Sequence, residues 1–328
     1  ADATRSLKVG RNSVDLQGIN DSRILLHEAG YRFEFFLLTP NYFKRPLNIS
    51  PSKYQVILNV VSDADQNPKV LDVLHRVLRH QDVQVVNRPE AVMDTTREKV
   101  AAKLADLEGL IVPKTLRILR SQASFIDTLL GETGFRFPAI VRPVGMHGGV
   151  GSRLVRAAAE VAPYLKSAKS LYLTEFANYR NKDGFFRKYR CYMIGDQAVF
   201  RHLIISDHWC VHARDKERVM FSTPWMLEEE KRVHDAGIEY FTASQKETLF
   251  RVKSALGLDY FGVDFSITDS GRLVLFEANA TMNFFPFLNP DPQHYSRQPL
   301  ARAVRALRAL VGRSPAMRLQ RPEDQAAD

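Results

Sequence analysis

The residues best placed to do chemistry lie near the C-terminus, in the segment GVDFSITDSGRLVLFEANATMN, residues 262–283. On a strand, alternate side chains share a face, so Glu277 and Asn279 project together while Phe276 and Ala278 are expected in the core. Asp264 lies on the preceding apolar run, and the TDSG turn makes the two runs hairpin neighbours. Two carboxylates and an amide oxygen then converge on one sheet face. Such a set, with hard oxygen donors and neither Cys nor His, suits Mg²⁺ (or Mn²⁺), whose remaining positions go to water and phosphate oxygens. Asp264 alone would read as an ordinary solvated residue. A glutamate closing the apolar run LVLF needs a partner or a cation.

A second group of interest is the glycine-rich turn in VRPVGMHGGVGSRLV, which places Gly145, Gly148, Gly149 and Gly151 between two apolar runs. Glycines let backbone N–H groups approach a phosphate without obstruction. No Lys-Ser/Thr pair follows, which excludes a Walker A loop, and no helix follows directly, which excludes a dinucleotide fingerprint. A flexible hairpin explains the glycines equally well. Arg142, just before the turn, adds a cation suited to phosphate, and His147 inside it reads as a loop contact. His208 and His212 are four apart, but no third zinc ligand accompanies them, so packing or substrate contact is the favoured account. Arg187, Lys188, Arg190, Arg201 and His202 fall on one hairpin and could face an acidic substrate; for Arg187 a solvated face is as good an account.

Taken together, these segments resemble the ATP-grasp superfamily, in particular glutathione synthetases and ribosomal-protein glutamate ligases, over roughly residues 83–285. VVNRPEAVMDTTREKVAAKL is similar to the entry into the ATP-binding domain, with Lys99 where a lysine reaches the nucleotide phosphates. FPAIVRPVGMHGGVG is similar to the second phosphate-binding strand and its glycine loop. LYLTEF resembles the linker whose backbone pairs with adenine, placing Glu175 and Phe176 there. RKYRCYMIGDQAV resembles the hairpin whose arginine, here Arg190, faces the transferring phosphoryl group. GVDF and FEANAT resemble the metal strands, giving Asp264, Glu277 and Asn279. Two positions depart from the pattern: Arg142 replaces a lysine, and Lys188 stands where an acidic residue is usual.

The resemblance implies an ATP-dependent carboxylate–amine ligase with ATP and Mg²⁺ as cofactors. The γ-phosphoryl group would pass to a carboxylate, and an amine would then attack the acyl phosphate. Lys99 and Arg142 would hold the α- and β-phosphates, Gly145, His147, Gly148, Gly149 and Gly151 would cover them, and Arg190 would stabilise the transferring group. Lys188, Arg201, His212 and Asn283 are set as substrate contacts. Small-molecule or peptide carboxylates and amines are the expected partners, and a homodimer is allowed for. Two other readings stay open: an ATP-grasp kinase of a small acidic or hydroxylated metabolite, and a non-catalytic nucleotide-binding module.

The elements that must position these residues follow from periodicity. RFEFFLLT and YQVILNVV read as strands. Val70, Leu71, Leu74, Val77 and Leu78 mark a helix, and VQVVN a further strand. A helix capped at Asp94 or Thr95 runs to about Leu107, then a single strand LIVPKTLRI. A second unit holds FPAIVRPV, the glycine turn, SRLVR, a helix AAEVAPYLKS and SLYLTEF. A hairpin across Gly195-Asp196, a charged and partly helical stretch over 226–257, the hairpin with the metal ligands, and a terminal helix LARAVRALRALVG complete the chain. The expected class is α/β (α+β), an ATP-grasp fold preceded by an α/β domain. Its divisions are residues 1–94, a central subdomain over 95–173, a C-terminal subdomain over 174–312 and a polar tail over 313–328.

A chain of 328 residues suits two or three packed units. Its net charge of +9 favours anionic partners, but the densest basic stretch, Arg180 to Arg190, holds only five basic residues beside Asp183, and no nucleic-acid motif accompanies it. No apolar run approaches the ~20 residues that span a bilayer. Cys191 and Cys210 make neither a disulfide framework nor a cysteine metal site, so a reducing cytoplasm is expected. The N-terminus has no apolar signal region, and it lacks Met, as a trimmed chain or a fragment would.

Overall fold

The computed structural model describes the backbone of residues 6–9 and 14–17, positions 32, 34, 36 and 38, and residues 50–146, 149–280 and 298–312. The run RFEFFLLT, His147, Gly148, Asn283 and the tail over 313–328 lie wholly or mostly outside the described residues.

The architecture is α/β. In chain order the strands are β1 (Ser6–Val9), β2 (Val14–Gln17), β3 (Val56–Leu58), β4 (Gln84–Val86), β5 (Leu110–Ile111), β6 (Thr115–Leu119), β7 (Ala139–Pro143), β8 (Arg153–Val155), β9 (Ser170–Glu175), β10 (Phe186–Ile194), β11 (Gln197–Ser206), β12 (Tyr260–Ile267) and β13 (Leu273–Asn279). The helices are α1 (Pro68–Leu78), α2 (Pro89–Met93), α3 (Arg97–Leu104), α4 (Ile126–Glu132), α5 (Ala162–Ser167), α6 (Pro224–Ala236), α7 (Ala243–Leu256) and α8 (Gln298–Val311).

Two sheets matter for function. The larger runs β11-β10-β12-β13-β5 and the smaller β6-β9-β7-β8. β10 and β11 pair as the expected hairpin, with Ile194 opposite Gln197 across the Gly195 turn. β12 and β13 pair antiparallel with Asp264 opposite Glu277. Each sheet has its own core. The larger core joins Tyr192, Phe200, Phe261 and Phe265 to Leu71, Val92, Leu104 and Leu307. The smaller is built from Ile118, Ala139, Val141, Leu165, Leu171 and Leu173.

Several elements differ from the sequence expectation for identifiable reasons. LIVPKTLRI is two strands in different sheets, β5 in the larger and β6 in the smaller. Pro113 falls in the break; it lacks an N–H for the ladder and pushes its predecessor out of regular geometry. The stretch over 226–257 resolves into α6 and α7. Helix α7 starts on a capping box, in which Thr242 accepts from Gln245 N–H, and stops at Gly257 in the left-handed region (φ 67°). Helix α3 starts after Thr96, one residue beyond Thr95 and two beyond Asp94, with no side-chain capping bond from Thr96, and ends at Leu104.

Asn87 shows why the asparagine precedes Arg88 and Pro89. It holds a positive φ of 57°, which Asn tolerates better than most side chains. Its side-chain carbonyl accepts from the N–H groups of Asp259 and Tyr260 at 3.0 and 2.9 Å, and its own N–H donates to Asp259. The end of β4 is thereby fastened to the start of β12, a strand that carries site residues.

Candidate active site

The main cavity is lined on one side by the smaller sheet, through Ile140 and Arg142 of β7 and Tyr172, Thr174 and Glu175 of β9. On the other side stand Lys188 and Arg190 of β10, Asp264 of β12 and Val274 to Glu277 of β13. Phe176, Ala177 and Tyr179, which leave β9, join the wall with the loop from Trp209 to His212.

One end is apolar and aromatic. Phe176 meets Trp209 edge-on with ring centroids 5.8 Å apart, and Tyr179 lies 4.6 Å from Phe276. The Tyr179 hydroxyl donates to the Trp209 carbonyl, fixing the loop against β13. Phe276 was expected in the core. It packs partly buried against the larger core and also lines the cavity, because the β12–β13 register shifts between Asp264 and Phe265, so that Phe265 opposes Leu275 and Phe276 is the extra residue of a bulge. A bulge re-aims side chains that strict alternation would send to the other face.

The other end is cationic. Arg97, Arg142, Lys188 and Arg190 line this end with Asp264 and Glu277, while the cavity's third carboxylate, Glu175, is paired with Arg136 at the end of β9. Arg190 forks Asp264, with Nε to Oδ1 at 2.5 Å and Nη2 to Oδ2 at 2.7 Å, and Lys188 Nζ lies 4.0 Å from the same carboxylate. Arg97, in the first turn of α3, reaches Glu277 at 2.8 Å and donates to the Phe276 carbonyl at 3.2 Å. Burial pushes the Glu277 carboxyl upward, but the fields of Arg97, Arg142 and Arg190 outweigh it and hold its pKa well below the usual carboxylate range. The Arg142 guanidinium is lowered to about 10 by burial and by the neighbouring Arg97, with Glu277 opposing. Its Nε donates to the Ser152 hydroxyl at 3.1 Å. Burial also pulls Lys188 downward, against Asp264.

The expected site residues are unevenly distributed. Arg142, Gly149, Glu175, Phe176, Lys188, Arg190, His212, Asp264 and Glu277 line the main cavity. Asn279 and Gly145 line a smaller adjoining recess with Ser62, Asp63, Asp65, Thr95, Thr96, Arg97, Met146, Tyr172 and Glu277. Gly151 packs against Pro143 at a φ of 73°. Two of the expected residues lie away from both cavities. Lys99 lies outside the walls of both cavities and instead donates to the Met93 carbonyl and to Asp94. Residues two apart on a helix point to nearly opposite sides, so Arg97 takes the inward place and Lys99 the outward one. Arg201 does not line the cavity either. It is buried beside Tyr192, with His234 in its field, as the extra residue at a register shift where Arg190 opposes His202 and Cys191 opposes Phe200.

The expected linker residues Glu175 and Phe176 both line the cavity. The Glu175 N–H is spent on the Lys114 carbonyl and the Phe176 N–H on the Pro138 carbonyl, both at 2.9 Å. The Glu175 carboxylate is held by Arg136, through its N–H at 2.9 Å and its guanidinium at 3.2 Å. The Phe176 ring faces the cavity beside Trp209.

Among the described residues no group of three His, Cys, Asp or Glu gathers as a metal site. The donor set is a smaller, hard-oxygen one: Asp264 and Glu277 opposite each other, with Asn279 two residues on, its amide donating to Glu277. Both carboxylates carry arginine partners, as anions drawn away from water need. Oxygen donors of this kind fit Mg²⁺ or Mn²⁺.

No family model matches the chain, and no curated protein matches it. Solved structures of ligases are similar to it. The VanG D-Ala:D-Ser ligase from Enterococcus faecalis shares 16% identity over 78% of this chain and 73% of that one, with a TM-score of 0.48. The ATP-grasp ligase PsnB, complexed with a phosphomimetic variant of its minimal precursor, Mg and ADP, shares 20% over 75% and 68%, at 0.45. The D-alanine–D-alanine ligase from Coxiella burnetii shares 11% over 81% and 71%, at 0.47. PsnB is by name a member of the superfamily that the motifs resemble.

Proposed function

We propose that this chain is an ATP-grasp ligase that uses MgATP to activate a carboxylate and joins it to an amine. The observation that carries the reading is the polarity gradient of one cavity, aromatic at one end and net positive at the other. A nucleoside triphosphate has that shape of demand: an apolar base with a π-face, then a polyanion. The resemblance of the motifs to carboxylate–amine ligases supports the ligase chemistry.

The base would lie among Phe176, Trp209, Ile140 and Phe276, and the phosphates against Arg97 and Arg142, whose planar forks each pair with two oxygens. Glu277 and Asn279, with Asp264 beside them, would hold the divalent ion, which when bound neutralises phosphate charge. Arg190, held by Asp264, presents a fixed cation where charge develops on the transferring phosphoryl group. The smaller recess shares Arg97, Tyr172 and Glu277 with the main cavity and opens toward Asp63 and Asp65. A substrate seated there would reach the γ-phosphate. One carboxylate oxygen takes the phosphoryl group, releasing ADP; the amine nitrogen then forms a bond to the carbonyl carbon, and phosphate leaves as the amine loses a proton. The chain's share is positioning and charge compensation, so no enzyme nucleophile is needed.

The test is ADP release across a panel of amino acids, peptides and acidic metabolites. Release that requires both an acid and an amine is the expected result. Release with a stable phosphorylated acceptor and no amine would make the chain a kinase instead.

A further inference from the structure

The two carboxylates of the cationic end are not equivalent. Asp264 is 5% exposed, both its oxygens are taken by the Arg190 fork, and Lys188 Nζ stands 4.0 Å away as a second cation. Glu277 meets Arg97 through Oε2 only, and its Oε1 meets the neutral amide of Asn279. A half-turn of that amide would bring its oxygen beside Oε1, since the two ends of an Asn amide have the same shape. Arg97 makes a single bond to the carboxylate and one to the neutral Phe276 carbonyl at 3.2 Å, and an arriving phosphate offers the guanidinium a charged two-point partner in their place.

We propose that Arg190 and Lys188, by occupying Asp264, limit the cleft to one divalent cation per bound nucleotide, held by Glu277 and Asn279, and make Asp264 a positioning residue for Arg190. This rests on the nucleotide reading above. A divalent ion at Asp264 would have to displace a two-point, charge-assisted fork and then sit beside the displaced guanidinium and the Lys188 ammonium. At Glu277 it replaces one direct arginine contact, and although Arg142 and Arg190 also act on this carboxylate, neither is bonded to it, and Arg97 and Arg142 have the phosphates to turn to.

The measurement is the number of Mn²⁺ ions bound, read from the loss of free-ion electron paramagnetic resonance signal, in the presence of a saturating non-hydrolysable ATP analogue; calorimetry reports binding of the analogue in parallel. Wild-type protein is expected to bind one Mn²⁺. Asp264→Asn should also bind one, and Glu277→Gln none. Arg190→Gln, which uncovers Asp264, should bind two. The double variant Asp264→Asn with Arg190→Gln, a neutral pair in place of the buried ion pair, should bind one and covers the case in which either single variant fails to fold. Two ions in the wild type, loss of Mn²⁺ in Asp264→Asn or in the double variant, or a count still at one in folded Arg190→Gln would each overturn the proposal. Analogue binding with no Mn²⁺ at all would overturn it while leaving the nucleotide reading standing, and absence of analogue binding would remove that reading itself.

Discussion

At the residue scale the account turns on which side chains face the phosphates. Arg97 and Lys99 lie on one helical turn, and only Arg97 enters the cleft. A charge-assisted hydrogen bond is worth about 1.5–3 kcal/mol, so Arg97→Ala should weaken ATP-analogue binding ~10–100-fold. Lys99→Ala should change it less than about two-fold, since its partners are exposed and such pairs contribute little. Calorimetric titration of both variants checks this, and equal losses would return Lys99 to the site. Glu277 makes a second prediction. Its folded pKa is depressed, so its ionisation stabilises the fold above the ordinary carboxylate value of 4.5 and that contribution is lost as pH falls toward the depressed folded value. Melting temperature followed from neutral pH into acid should therefore fall less steeply in Glu277→Gln than in the wild type. The functional types were legible from sequence because a glutamate ending LVLF and an arginine beside a glycine turn are chemically conspicuous. Choosing between Arg97 and Lys99 was not, because either basic residue fits a motif and only the helix start, at Thr96, decides which face is inward.

At the element scale, alternation and turn chemistry placed both hairpins, and Asp264 and Glu277 do fall opposite each other. The bulge that turns Phe276 into the cavity has no sequence mark, since one extra residue in a strand leaves composition and pattern nearly unchanged. The division of LIVPKTLRI was readable in principle from Pro113. The glycine turn yields a prediction of its own. Gly149 has a φ of 70°, and a Cβ there would lie 1.9 Å from Cε1 of His212. Gly149→Ala should therefore destabilise the protein through two separable causes: backbone strain of about 1–2 kcal/mol and the clash with the ring. In the His212→Ala background only the strain remains, so the same substitution should cost less. Thermal or denaturant unfolding of the four proteins in the cycle gives the coupling. An identical cost in both backgrounds would mean that the turn does not rest on His212 in solution.

At the scale of the whole molecule, two sheets with separate cores hold opposite walls of one cavity. A ligand bridging them should stabilise the fold by mass action, by about 2.7 kcal/mol at a hundred times its dissociation constant. ATP with Mg²⁺ should accordingly raise the melting temperature well above ATP with excess chelator, and equal shifts would remove the divalent ion from the account. The α/β class was legible because helical and strand periodicities alternate along the chain. How the strands divide between sheets was not, because that is settled by long-range pairing such as β5 with β13. The central claim concerns the reaction, and it is tested most directly by trapping the activated acid. With ATP, Mg²⁺ and the acid that supports ADP release, hydroxylamine should intercept the acyl phosphate and give a hydroxamate, measured by its iron(III) colour. Arg190→Ala should cut the signal about 10²–10³-fold, since on the proposed reading that cation would contribute roughly 3–4 kcal/mol at the transferring phosphoryl group. A stable phosphorylated product that hydroxylamine does not touch, formed at the same rate with and without amine, would contradict the ligase.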